Sequence, residues 1–266
     1  MFLRSLARIG LKLSQRSGAC TSMATLGAFL RPTRCGTLVE APLPLQSRGC
    51  ANCAARDDSF CRGLSAAHMA ELRQVTGHLT LQPGQQLVGQ GEQAEHFFNL
   101  IEGHVRAFRL LEDGRRQITG FLERGDFIGL TRGATYEVGV EAITEVRLCR
   151  FSRRALLALM DDIRPLERAL HDRTSNELVA AHDHMVLLGC KTARERVITF
   201  LLQRAGPGGT VVELPMTQTD VADYLGLRLE TVSRTMHALL KEGLIERSEP
   251  HRIQILKPAM LREMAG

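Results

Sequence analysis

From His78 to Phe151 apolar and polar residues tend to alternate at a period of two. His78-Leu79-Thr80-Leu81 shows it first, and residues 97–101, 105–108, 117–121, 138–140 and 146–151 follow as further short runs. Gly84, Gly89, Gly91, Gly103, Gly114, Gly125, Gly129 and Gly133 punctuate them. Successive side chains on a strand point to opposite faces, so this pattern predicts many short strands separated by turns. The expected unit is an all-β barrel or jelly roll. A short helix over residues 62–75 precedes it, with Ser65 as N-cap and Leu64, Met69, Leu72 and Val75 on its buried face.

After Phe151 the period becomes helical. A short helix is expected over residues 153–160. Asp162 and Pro165 then mark a new start, proline being tolerated in a first turn. Leu166, Leu170, Thr174, Leu178, Ala181, Met185 and Leu188 recur every three or four residues. They form a mostly apolar stripe on a helix about 36 Å long, at 1.5 Å per residue. Val179, His182 and Val186 form a second, more polar stripe. A helix of this length needs a partner for its second face, and a twin from another subunit supplies one. The alternative is packing against its own β domain alone.

Residues 192–266 read as a separate module. Thr217-Gln218-Thr219-Asp220 opens a helix with a capping-box pattern, and Val221, Ala222 and Leu225 give it a buried face. Gly226 ends it, and residues 229–241 form the next helix, ended by Gly243. Two short helices about a glycine turn, followed by alternating residues 244–247 and 252–255 about Pro250-His251, predict a winged helix-turn-helix. In that motif the start of the second helix faces base edges. Here it carries Arg228, Glu230, Thr231, Ser233 and Arg234. Arginine can bond guanine and glutamate can accept from cytosine. An ordinary Glu230–Arg234 surface pair is the competing reading. An acid on a helix that must approach phosphates is unfavourable unless it reads a base, which favours readout.

Three of seven cysteines, Cys50, Cys53 and Cys61, fall within twelve residues. Soft thiolates select iron–sulfur clusters, zinc or copper(I). Three ligands are one short of a closed site, and Cys149 and Cys190 are the downstream candidates for a fourth. The odd count, in a chain too long to need disulfide staples, fits reduced thiols and a cytoplasmic setting. The net charge of +5 arises in residues 1–48, where Arg4, Arg8, Lys12, Arg16, Arg31, Arg34 and Arg48 face one acid, Glu40. Residues 49–266 carry a net charge of −1, so the basic balance is no argument for nucleic acid. Residues 1–48 have the look of an acid-poor amphipathic targeting peptide, but an unstructured basic extension, or translation starting at Met23, accounts for them with nothing organellar downstream. No apolar run reaches a membrane span of about 20 residues. Ser, His and Asp occur without a glycine-flanked nucleophile and no phosphate loop is present, so an enzyme is not expected.

The order of β-roll, long helix and winged helix-turn-helix resembles the CRP/FNR superfamily of bacterial transcription regulators over about residues 50–257. The resemblance is carried by Gly125-Asp126-Phe127-Ile128-Gly129, Gly91-Glu92 through Gly103, Asp223-Tyr224-Leu225-Gly226-Leu227 and Glu230-Thr231-Val232-Ser233-Arg234. The cysteines are similar to those of the FNR branch, whose oxygen-sensing members hold a [4Fe–4S] cluster. The resemblance implies Cys50, Cys53, Cys61 and Cys149 as its ligands, and not Cys20, Cys35 or Cys190. It implies a homodimer that binds double-stranded DNA at a palindrome with TTGAT-like half-sites and works with RNA polymerase. Cyclic-nucleotide-binding members place a Glu and then an Arg-Ser/Thr pair after the GDFIG segment. Here Leu130-Thr131-Arg132 and Tyr136-Glu137-Val138 stand there, and no Arg lies between Gly133 and Glu145, so no cyclic nucleotide is expected.

The expected fold class is therefore α+β. A basic extension over 1–48 precedes a sensor domain over 49–160 with the cysteine segment and a cyclic-nucleotide-binding-like β-roll. A dimerisation helix over 161–188 and a DNA-binding winged domain over 189–266 follow. The expected function is oxygen- or redox-responsive transcription regulation. The alternatives are a dimeric regulator with zinc-bound or bare redox thiols, or one with a small-molecule effector in the β-roll.

Overall fold

The structure is a computed structural model and describes residue 50 and residues 53–266. Cys20, Cys35 and the extension over 1–48 lie outside the described residues. Helix α1 (Ala66–Gln74) begins at Ser65, whose side chain accepts from His68 N. Eight strands follow: β1 (Thr76–Leu81), β2 (Gln86–Val88), β3 (His96–Glu102), β4 (Val105–Leu110), β5 (Arg116–Leu122), β6 (Phe127–Ile128), β7 (Gly139–Ala142) and β8 (Val146–Ser152). They build two antiparallel sheets, ordered β1-β8-β3-β6 and β2-β7-β4-β5. The inner faces share one core that includes Leu81, Phe98, Leu100, Val105, Val140 and Leu148. The expected jelly-roll-like unit is what forms.

The outer face of the first sheet is covered as well. Phe97, Phe127, Cys149 and Phe151 project from it into a second apolar cluster with Phe60, Leu72, Leu156, Leu166 and Leu170. The residues before α1 and the start of the long helix thus close over the back of the roll. Helices α2 (Arg153–Asp162) and α3 (Arg164–Cys190) follow, α3 running past residue 188. Its 27 residues span about 40 Å.

The anticipated burial along α3 needs correction. Leu166 and Leu170 are buried, but Leu178 and Met185 are 57% and 61% exposed, as open as Val179 and Val186 of the second stripe. Pattern reading separated two stripes; the structure merges their distal halves into one uncovered apolar band. Helical periodicity shows that a face is apolar, not which neighbour covers it.

The C-terminal module comprises α4 (Ala193–Ala205), β9 (Val211–Glu213), α5 (Gln218–Leu225), α6 (Leu229–Lys241), β10 (Ile245–Glu249), β11 (Arg252–Ile255) and α7 (Pro258–Met264). Both halves of the Thr217–Asp220 capping box form, and Gly226 adopts the left-handed conformation at φ 60 that lets the chain turn between α5 and α6. The strands order β10-β11-β9, making the wing. Val197, Leu201, Ala222, Leu225, Val232 and Leu239 pack its core. Helix α7 carries no strong periodic signal and was not anticipated; its Leu261 is fully buried.

Candidate functional site

Residues 53–63 form successive turns rather than a helix or strand, yet they are well anchored. Ala55 and Phe60 are buried, and Phe60 meets Phe127 and Phe151 edge-on at centroid distances of 5.1 and 5.6 Å. Ser59 Oγ donates to Arg56 O and accepts from Cys61 N, each at 3.3 Å. The aromatic anchor holds this segment over β8, where Cys149 lies on the outer face.

The four cysteines are gathered there. Burial pushes the Cys149 thiol strongly up, and Cys53, Cys61 and Cys50 each push it further by charge repulsion. Burial likewise raises Cys61 to about 11, opposed by the Ser59 hydrogen bond and reinforced by Cys50 and Cys53. Cys50 is raised by burial, against the pull of Arg73. Cys50 and Cys61 pack against the same apolar cluster that holds Cys149. They are not closed on one point: among the described residues no three His, Cys, Asp or Glu side chains stand at metal-holding distances. Cys190 is exposed at the far end of α3.

This donor set suits a cationic iron–sulfur or zinc centre. Burial disfavours the thiolates of Cys61 and Cys149, and metal coordination is the interaction that deprotonates a thiol outright. Cys50, Cys53, Cys61 and Cys149 would be the ligands.

The cysteine segment also touches the long helix, a link sequence reasoning missed. Arg173 of α3 donates through Nη2 to Asp58 O and through Nη1 to Asp126 Oδ1 at 3.3 Å. Arg124 pairs with the Asp58 carboxylate at 2.8 Å. Gly125 has φ +93, and a Cβ there would collide with the Asp58 backbone, so the segment lies directly on the β5–β6 turn. Nothing at the sequence level pairs residue 58 with residue 173.

Next to this link, the roll and α3 enclose a cavity of ≈ 590 Å³ whose lining includes Val88, Tyr136, Val140, Arg173 and Glu177. Burial raises the carboxyls of Asp126 and Glu177 above the usual range, and the Arg173 guanidinium is already engaged.

A second missed constellation ties the roll to the winged module. Asp220 is 1% exposed. It accepts from Arg106 Nη1 at 3.0 and 3.1 Å, from Arg116 Nη2 at 2.9 Å, and from Thr217 N and Oγ1 at 3.1 and 2.8 Å. Arg106 also pairs with Glu141, and Arg116 with Asp223 at 2.8 Å. Gln117 donates to Asp223 O at 2.6 Å. The His184 ring of α3 stacks on Tyr224 at 4.2 Å. The first helix of the helix-turn-helix is therefore held by β4, β5 and α3 together.

Arg228, just before α6, and Glu230, Ser233 and Arg234 on it are exposed, and Thr231 is half-buried. Val232, Met236 and Leu239 bury the opposite face. Among the described residues no ion pair joins Glu230 to Arg234, so both side chains remain available on one face.

Comparison with known proteins matches this architecture in two places. A cyclic nucleotide-binding domain model matches residues 78–162, and a Crp-like helix-turn-helix domain model matches residues 195–264. The nitrogen fixation regulation protein FixK of Bradyrhizobium diazoefficiens is 35% identical over 82% of this chain and 94% of its own. The transcriptional activator protein FnrL of Cereibacter sphaeroides is 32% identical over 86% of this chain and 96% of its own. The solved structure of FixK2 from Bradyrhizobium japonicum superposes with a TM-score of 0.68 at 36% identity, covering 72% of this chain and 98% of that one. With roll, long helix and winged module in this order, and relatives matched over nearly their whole length, the chain belongs to the CRP/FNR family of DNA-binding transcription regulators and is not an enzyme.

Proposed function

We propose that this regulator responds to oxygen or redox state through a [4Fe–4S] cluster held by Cys50, Cys53, Cys61 and Cys149, and that the cluster promotes dimerisation and binding to TTGAT-like palindromic sites. The observation that carries this reading is the convergence of the Cys50–Cys61 segment on Cys149 over an apolar, aromatic niche. When bound, such a cluster supplies an oxidant-sensitive tie between the four thiolates.

The chain's own residues turn that tie into a signal. Ligation would hold Cys50, Cys53 and Cys61 against Cys149 of β8. Asp58, inside that segment, is engaged by Arg124 and by Arg173 of α3. Loss of that tie would leave Phe60 as the segment's anchor and would loosen the hold of Asp58 on Arg173, at the end of α3 packed on the roll. Further along, Leu178, Val179, His182, Met185 and Val186 face outward and would form the seam with a second copy. With Leu178 and Met185 exposed, this seam is more apolar than the Val179, His182 and Val186 stripe alone. A coupling of about 1–3 kcal/mol is enough to shift such an assembly equilibrium. Two α6 helices, one per subunit, would present Arg228, Glu230, Thr231, Ser233 and Arg234 to half-sites about one helical turn apart. RNA polymerase is the expected partner on the promoter, and the cytoplasm the expected location. No helix of the described residues is long and apolar enough to cross a membrane.

The cavity beside α3 supports a second reading, a small-molecule effector in the roll. Its two carboxyls, Asp126 and Glu177, and its engaged arginine make it a poor phosphate site, so an effector there would not be a cyclic nucleotide. Zinc on the same thiolates is the other competitor. Sedimentation of the anaerobic protein before and after air exposure tests the assembly step. Dimer before and monomer after is expected. A dimer that persists in air without its cluster refutes the assembly switch.

A further inference from the structure

Strand register places His78, Cys149, Asn99 and Phe127 in one row across β1, β8, β3 and β6. Directly opposed residues of antiparallel strands point to the same face, their Cβ atoms about 4.5–5.5 Å apart. Asn99 therefore shares the outer face with Cys149. Its sequence neighbours Phe98 and Leu100 point the other way, into the core of the roll. Around Asn99 that outer face is apolar, with Phe97, Phe127 and Phe151.

Asn99 is 2% exposed, and its Oδ1 has no hydrogen-bond partner. A buried amide with an unmet oxygen weakens a fold relative to an apolar side chain of the same shape. Packing does not explain an asparagine here. The strand register sets the Cys149 side chain beside it. An amide can rotate about its last torsion between two nearly isosteric states. In one of them Nδ2–H faces the sulfur and can donate to a thiolate.

We propose that Asn99 is a positioning residue for the Cys149 sulfur, turning its amide to donate an N–H to that sulfur when it is ligated; with the thiol free, its oxygen is left unmet. This rests on the ligand assignment above. Hydrogen bonds to ligand sulfurs withdraw electron density and tune the potential of iron–sulfur centres. Asn99 thus lengthens the life of a bound cluster in air without being needed to assemble it.

The test uses Asn99→Leu, close in size and without a donor, in the full chain purified anaerobically. Iron and sulfide contents should equal those of wild type. The cluster absorbance should disappear in air about two- to ten-fold faster, the effect of one hydrogen bond. The cluster-free variant should melt at the same or a higher temperature than cluster-free wild type, because the orphaned oxygen is gone. Asn99→Ser, which keeps a small donor, should fall between; Asn99→Ala carries the comparison if the leucine variant does not fold. Unchanged air lifetime at full cluster content overturns the inference alone. Wild-type protein that takes up no cluster overturns the ligand assignment and this inference with it.

Discussion

Replacing Asp220 by alanine tests how firmly the DNA-reading module is docked. Its carboxylate is almost completely buried, faces two guanidinium groups and accepts from Thr217 N in the α5 capping box. Removing one partner of a buried ion pair costs about 3–5 kcal/mol, chiefly because a charge is left buried and unpaired. Here Arg106 keeps Glu141 and Arg116 keeps Asp223, which reduces that penalty. Losing the hydrogen bond from Thr217 N adds about 1 kcal/mol. Together these give an expected loss of about 3 kcal/mol for Asp220→Ala. Asp220→Asn retains a capping oxygen and should lose about 1 kcal/mol less. Urea denaturation followed by circular dichroism measures both. The winged module, released from β4 and β5, should also unfold as its own transition. The pair is buried, so the loss should change little between about 0.1 and 1 M salt. A loss below about 1 kcal/mol with a single unchanged transition refutes the docking argument.

Arg234→Ala should relax base preference at one symmetric position, by about 1–3 kcal/mol in DNA-binding titrations. Equal weakening on all sequences would make Arg234 a phosphate contact. Val179→Glu with Val186→Glu should leave the anaerobic protein monomeric by sedimentation with its cluster content intact; a persistent dimer would place the interface elsewhere. Arg173→Ala should keep the cluster but narrow the difference in dimerisation between anaerobic and air-exposed protein, and an undiminished difference excludes that route. Cluster-free protein should lose stability at alkaline pH. Cys61 ionises near 9.0 when unfolded and at about 11 when folded, and burial raises Cys149 too, so the unfolded chain releases protons first. Their contribution is fully present below about pH 9 and lost as pH rises towards the folded values, a loss that melting temperatures between pH 8 and pH 11 would show.

Local chemistry was the legible part of this chain. The Thr217–Asp220 cap, the left-handed Gly226 and the strand alternation each depend on neighbours in sequence, and each formed where expected. Family resemblance brought Cys149 to the cysteine segment; spacing alone left Cys190 equally open. What escaped was chemistry between distant segments. Asp220 was read as a helix cap, and its second role, binding Arg106 and Arg116, depends on how the module lies on the roll. Arg173 reads as one more charge on an amphipathic helix until Asp58 is placed against it. The burial of α3 was misjudged for the same reason: periodicity identified apolar Leu178 and Met185 but not that their own chain leaves them open.

The central claim is most directly tested by counting iron and acid-labile sulfide in anaerobically purified protein, with its absorbance spectrum, for wild type and for serine variants of the cysteines. About four of each per chain, and a broad band near roughly 400 nm, are predicted for wild type and for Cys190→Ser. Cys50→Ser, Cys53→Ser, Cys61→Ser and Cys149→Ser should each lose them. A colourless wild type, zinc in place of iron, or a full cluster in Cys149→Ser would contradict the account.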